Sequence, residues 1–173
     1  MLLTVSTIAQ KKVLLEDLAN PFECCLEYDT VMAYAFNGQA GNREQAIVDT
    51  LGGFAKTIEK PGQQLSKKEI IQLDKILGDT ASYGGTTAAC FVPRLGIIYY
   101  YKGKVVGHIN ICLECNYLES NPEMPLTSYY KTDVGSTTIP AKGFSKTARK
   151  KLDTLCKQLN LGYCLDNYDS IFD

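Results

Sequence analysis

The chain has 173 residues, of which 45% are hydrophobic and 21% charged, with no tryptophan and a formal net charge of −1. That length suits one globular domain with a core of its own. The near-even charge argues against a nucleic-acid binder, which would carry a basic excess or a Lys/Arg stripe where this chain has only the short run Arg149-Lys150-Lys151. No apolar run approaches the ~18 residues of a membrane span.

Met1 to Ala9 reads M-L-L-T-V-S-T-I-A and runs into Gln10-Lys11-Lys12. An apolar stretch closing on small residues, with Thr7 and Ala9 at the −3 and −1 places of a cleavage site, fits the back end of a secretory signal peptide, although its basic n-region is missing. Residues 1–9 are therefore expected to be a signal-peptide remnant and 10–173 a single α+β domain. A short amphipathic element running on to Leu18 is the alternative. Seven cysteines, at 24, 25, 90, 112, 115, 156 and 164, suit a periplasmic or secreted location, where disulfides persist. Their odd number leaves at least one thiol unpaired within the chain.

Along the chain, Asp29 to Phe36 alternates with strand period and has two fairly apolar faces, which places it inside a sheet. Residues 43–54 read as a helix with Ala46, Ile47, Leu51 and Phe54 on one side, weakened at its end by Gly52-Gly53. Ser66 and Glu69 stand at capping-box spacing before the stripe Ile70, Leu73, Ile76 and Leu77, predicting a helix over 67–77 stopped by Gly78. A second helix, over 146–160, carries Leu152, Leu155, Cys156 and Leu159 and is closed by Gly162, with Cys156 in the core or bridged to Cys164. The stretch 116–143 is long for a plain loop and is either functional or hides a short strand, for which Tyr129-Tyr130 and Thr137-Thr138-Ile139 are the places to look.

The centre is a hairpin between Cys90 and Cys115 that turns at Lys102-Gly103. A two-residue loop would pair Tyr101 with Lys104 and a three-residue loop Tyr100 with Lys104. The three-residue form puts Leu95, Ile97 and Tyr99 on one face with Ile109, Gly107 and Val105; since a one-residue slip swaps every side chain, the two-residue form mixes polar and apolar residues on both faces, and the three-residue form is preferred. The opposite, outward face then gathers Arg94, His108, Asn110, Cys112 and Glu114, with Cys90 alongside. Pro93 marks an edge or a bulge, and such a bulge would let Cys90 form a disulfide with Cys112 or Cys115. The expected fold is α+β, an antiparallel sheet built around the 88–113 hairpin, with strands near 29–36, 88–101 and 104–113 and two or three helices on one face.

As a string, A-C-F-V-P-R-L-G-I-I-Y-Y followed by V-G-H-I-N-I-C-L-E-C-N resembles a motif of small secreted proteins of unassigned function from Bacteroidota-type bacteria. The resemblance covers Tyr83 to Pro125. It implies an exported setting and carries no activity with it.

Cys112 and Cys115 form a C-x-x-C pair, but on an extended strand their positions are ~10 Å apart at ~3.3 Å per residue, so they could chelate together only at a knuckle. His108 and Cys112 are ~13 Å apart by the same rise. A thiol oxidoreductase would want its first cysteine at a helix N-terminus, whereas this pair follows a strand. A Cys–His nucleophile has no orienting Asn or Asp fixed by spacing. No cofactor, metal site or catalytic residue is assigned, and the balance leans away from an enzyme. The preferred function is a small periplasmic or secreted protein that binds another protein, of the inhibitor or immunity type. Its candidate contacts are Arg94, His108, Asn110, Glu114, Tyr129 and Tyr130, tyrosine being enriched at interfaces. The alternative is a cysteine-dependent enzyme or structural zinc protein using Cys90, Cys112 and Cys115.

Overall fold

A computed structural model describes residues 22, 26–38, 45–59, 61–124, 131–134, 137–140 and 143–164. The signal-type stretch Met1–Ala9, the vicinal pair Cys24-Cys25 and the candidate contacts Tyr129 and Tyr130 lie outside the described residues.

In chain order the elements are β1 (Thr30–Ala35), β2 (Gln63–Gln64), α1 (Lys67–Leu77), β3 (Tyr83–Gly85), β4 (Leu95–Tyr101), β5 (Lys104–Cys112), β6 (Tyr117–Asn121), β7 (Lys131–Val134), β8 (Thr137–Pro140), β9 (Gly143–Phe144) and α2 (Lys146–Gln158). The main sheet has five antiparallel strands in the order β2-β1-β4-β5-β6, and β3 with β9 and β7 with β8 form two-stranded ribbons. The α+β fold is the expected one, with β1 interior to the sheet and Thr137-Thr138-Ile139 within β8.

Both helices start where their caps dictate. Ser66 accepts from the Glu69 N–H and Glu69 reaches back to the Ser66 N–H at 2.7 Å, a closed capping box. Ser145 caps α2 through the Ala148 N–H. The end of α2 differs from expectation, since it is Asn160, at φ 50°, and not Gly162 that turns the chain. Asn160 N–H bonds Lys157 O and Leu161 N–H bonds Cys156 O, a Schellman closure with asparagine in the left-handed place that glycine more often takes.

The hairpin turn corrects the preferred register. Tyr101 pairs with Lys104 across a two-residue turn, Lys102 and Gly103 at φ 50° and 76°, the positive values that a type I′ turn needs. Val106 is then an extra residue, because Tyr100 pairs with Val105 but Tyr99 with Gly107. The bulge restores Leu95, Ile97 and Tyr99 to one face with Ile111, Ile109 and Gly107, and sends Val105 to the other. Pro93 lies just before β4, so no strand runs through 88–94. The Pro93 carbonyl instead accepts the Gly38 N–H.

Helices α1 and α2 cover the first face, burying Leu73, Ile76, Leu77, Leu152 and Leu155 against Val31, Ile97, Ile109 and Ile111. The second face is also covered. The expected helix over 43–54 does not form in its described part; instead residues 45–58 cross the sheet as an irregular excursion that buries Ile47 and Val48 with Phe36 and Ile98. Gly96 makes room for it, since a Cβ there would stand 2.2 Å from Ile47 Cδ1.

The buried carboxyl of Asp74 has a pH dependence of its own. Asp74 is 1% exposed, accepts the Tyr28 hydroxyl at 2.9 Å, and has a second oxygen without a partner. Burial pushes its carboxyl up to about 6, against the lowering pull of the Tyr28 hydrogen bond. Tyr99, which is buried with no hydroxyl partner, and Tyr28 are both raised by the same burial and by Asp74 itself. Since the folded value lies above the unfolded ~3.9, the native state holds the proton more tightly. The associated stability is complete below about pH 4 and is lost as pH rises through about 6. Asp74→Asn is therefore expected to gain on the order of 1–3 kcal/mol over the parent at pH 7.5 and little at pH 4. Urea unfolding at both pH values checks this, and a gap that stayed constant with pH would contradict it.

Candidate functional site

Two features of the second face and its end hold unusual side chains. The first is the tip of the excursion. Asp49 organises it, its Oδ1 accepting the Leu51 and Gly53 N–H groups at 2.8 Å each while its carbonyl takes the Gly52 N–H at 3.0 Å. Two further bonds close the neck, Asp49 N–H to Gly53 O and Ala55 N–H to Ile47 O. Gly52 occupies φ 82°. Leu51 is left 94% exposed and Phe54 48%, the exposed large hydrophobic side chains of the described residues.

The helical pattern fails over the described residues 45–54 for a local reason. Asp49 offers the backbone a turn in place of helical bonds, and Gly52-Gly53 removes the propensity that would resist it. A D-x-x-G turn was the signal present in the sequence. Ile47, Leu51 and Phe54 then separate, the first buried and the other two presented to solvent.

The base of the tip is pinned by Asn110. Its Oδ1 accepts the Ile47 N–H at 2.8 Å, and the residue is 3% exposed. His108 is 7% exposed, and burial lowers its pKa. The expected outward polar face is thus corrected: His108, Asn110 and Cys112 alternate with the helix-facing Ile109 and Ile111 but are buried, Asn110 under the excursion and Cys112 against Phe91 of the segment before β4. Arg94 and Glu114 remain accessible, 27% and 59% exposed, and pair at 3.6 Å. Arg94 also stacks over the Tyr163 ring at 4.5 Å, and the Tyr163 hydroxyl bonds Glu59.

The second feature lies where β5 ends. The strand does not continue as an extended chain through the C-x-x-C pair; it closes into a knuckle that brings the Cys112 and Cys115 Cα atoms to 5.2 Å and their sulfurs to disulfide distance. The Cys115 N–H donates to Cys112 Sγ at 3.1 Å. Asn116 takes the left-handed turn at φ 62° and uses its side-chain NH2 to bond Thr86 O at 2.8 Å and Phe144 O at 2.9 Å. Arg149, buried on α2, donates its Nε–H to Leu113 O at 2.8 Å. The Cys115 carbonyl accepts the Ala88 N–H, which lays the segment before β4 beside the knuckle.

That segment delivers the third sulfur. Cys90 Sγ lies 2.7 Å from Cys115 Sγ, and the residue is exposed and free. Cys90 thus meets the C-x-x-C pair, as a disulfide from it to Cys115 would need, while the two sulfurs at disulfide distance are those of Cys112 and Cys115. Phe91, Cys112 and Cys115 are buried together, with Ala88 and Tyr117 packed against them. Cys156 and Cys164 also lie at disulfide distance, with Cα atoms 5.8 Å apart just beyond the α2 cap. Among the described residues, no three His, Cys, Asp or Glu side chains are grouped to hold a metal ion, and no helix is long and apolar enough to cross a membrane.

No protein-family model, curated protein or solved structure matches the chain.

Truncating the two pinning amides tests this architecture. Asn116→Ala should cost about 2–4 kcal/mol, since two carbonyls lose their donor and alanine must hold a positive φ. Asn110→Ala should cost about 1–3 kcal/mol by stranding the buried Ile47 N–H. Chemical denaturation measures both, and losses under ~0.5 kcal/mol would show that neither amide anchors its loop.

Proposed function

We propose that this is a small exported protein that binds another protein, of the inhibitor or immunity type, and that it does so by inserting Leu51 and Phe54 into an apolar cleft of its partner. The observation that carries the reading is the near-complete exposure of Leu51 on a loop that Asp49 holds in one shape. A large apolar side chain in water is a cost in the free protein that a partner can relieve, by ~1.5–3 kcal/mol for a leucine fully buried on binding. A loop already ordered by its own hydrogen bonds loses little further entropy on docking. Arg94 and Glu114 are accessible charged groups that a partner could also engage.

Export is supported by the two cysteine pairs at disulfide distance, which persist in oxidising compartments, and by the signal-type stretch and the secreted-protein motif in the sequence. The convergence of Cys90, Cys112 and Cys115 supports a second reading, in which the protein works through its sulfurs.

A photo-crosslinking residue in place of Leu51 identifies the partner in native extracts, and calorimetry with the purified partner measures the affinity. Leu51→Ala is expected to raise Kd by ~10–100-fold, the equivalent of the leucine's burial. Leu51→Asp is expected to abolish binding, because a carboxylate would have to be desolvated in the same cleft. A partner whose affinity stayed within twofold for both variants would overturn the role given to the tip.

A further inference from the structure

Three sulfurs meet at the end of β5, and the knuckle makes them unequal. Cys115 is in the middle, at disulfide distance from Cys112 and 2.7 Å from Cys90. Cys112 and Cys115 are each 1% exposed, while Cys90 is exposed. Cys90 stands on a segment already tied to the knuckle through the Ala88 N–H and the Cys115 carbonyl.

We propose that Cys90, Cys112 and Cys115 form a disulfide-exchange centre in which one disulfide alternates between Cys112–Cys115 and Cys90–Cys115. The Cys90 thiol loses its proton to solvent and the thiolate attacks Cys115 Sγ. The Cys90–Cys115 bond forms, the Cys112–Cys115 bond breaks, and its electron pair leaves on Cys112, which takes up a proton in turn. The exchange is an isomerisation, with one disulfide and one thiol on each side, and it needs no oxidant or reductant.

The backbone is prepared for both ends of the exchange. In the starting form attacker and target sulfur are already in contact, so no segment must close a loop to bring them together. In the product form the Cys115 N–H, 3.1 Å from Cys112 Sγ, stays in place to bond the departing sulfur and stabilise its charge. Asn116 and Arg149 hold the knuckle backbone through bonds that do not involve any sulfur, so it need not unfold for the sulfurs to trade partners.

The consequence is a thiol that can be shown or hidden. With Cys112–Cys115 joined, the free thiol is on exposed Cys90, open to a thiol or disulfide of another molecule. With Cys90–Cys115 joined, it is on buried Cys112. The proposal is independent of the binding role of Leu51 and Phe54.

Linkage mapping tests it on the full chain. The protein is held in a glutathione redox buffer, quenched with acid, digested with pepsin and mapped by mass spectrometry, with Cys156–Cys164 as internal reference. The wild type is expected to show both linkages, and iodoacetamide should draw the mixture into the Cys112–Cys115 form alkylated at Cys90. Cys112→Ser should convert to the Cys90–Cys115 linkage, with oxidised glutathione accepting the two electrons, and alkylation of Cys90 should slow at least tenfold. Cys90→Ser should hold Cys112–Cys115 alone. Absence of any Cys90–Cys115 linkage in the wild type would overturn the proposal, a measurement that does not depend on any variant folding. So would a Cys112→Ser protein that kept its Cys156–Cys164 linkage while Cys90 alkylated at the wild-type rate. One equivalent of zinc held by the three thiols in the protein as isolated would overturn it too.

Discussion

The pairing of β4 with β5 is the constraint on which the rest of the fold depends. Leu95 to Tyr99 are buried on both sides of the sheet, so two covers are needed. Helices supply one, as is usual for an α+β domain. The other comes from residues 45–58, which lack regular structure and must satisfy their backbone groups in other ways. Asn110, in the middle of β5, does this for Ile47, and Gly96, paired directly opposite Asn110, leaves the space into which Ile47 packs. A polar residue and a glycine facing each other across the ladder thereby fix where the excursion lies, and with it where Leu51 and Phe54 emerge.

The same ladder sets up the sulfur cluster. β5 is followed through Cys112 until the chain must reverse into β6, and the reversal is tight because Tyr117 pairs back onto Cys112. The two cysteines thus stand at the neck of a turn instead of along a strand. Asn116 ties that turn to β9 and to the segment before β4, and Arg149 ties it to α2. The candidate site is held on three sides by elements distant in sequence, which gives its sulfurs defined positions without a helix N-terminus to organise them.

The two candidate features lie on loops, but neither loop is loosely held. The tip at 49–54 is stiffened by one aspartate acting on its own neighbours, whereas the knuckle is stiffened from outside by Asn116 and Arg149. Local stiffening suits a surface that presents apolar side chains outward, because the loop can protrude and still keep one shape. Stiffening from outside suits a cluster whose own sulfurs are free to change partners.

Much of the frame was legible in the sequence. The capping residues Ser66, Glu69 and Ser145 and the apolar stripes behind them depend on neighbours three or four residues away, and a local signal of that kind survives folding unchanged. The division of β4 and β5 into two faces was legible too, although the turn was not: a two-residue turn plus a bulge at Val106 gives nearly the same faces as a three-residue loop. What the chain alone could not decide was exposure. Asn110 looks like a surface residue on an outward strand face until residues 45–58 are laid over it, and Leu51 and Phe54 look like core until Asp49 turns them out. The cysteines divide in the same way, since the nearness of Cys156 to Cys164 and of Cys90 to Cys115 could be anticipated, while the knuckle that closes Cys112 onto Cys115 is made by the tertiary contacts of the turn. Periodicity and capping are written locally; which surfaces meet depends on contacts between residues far apart in sequence, and only the folded chain brings those together.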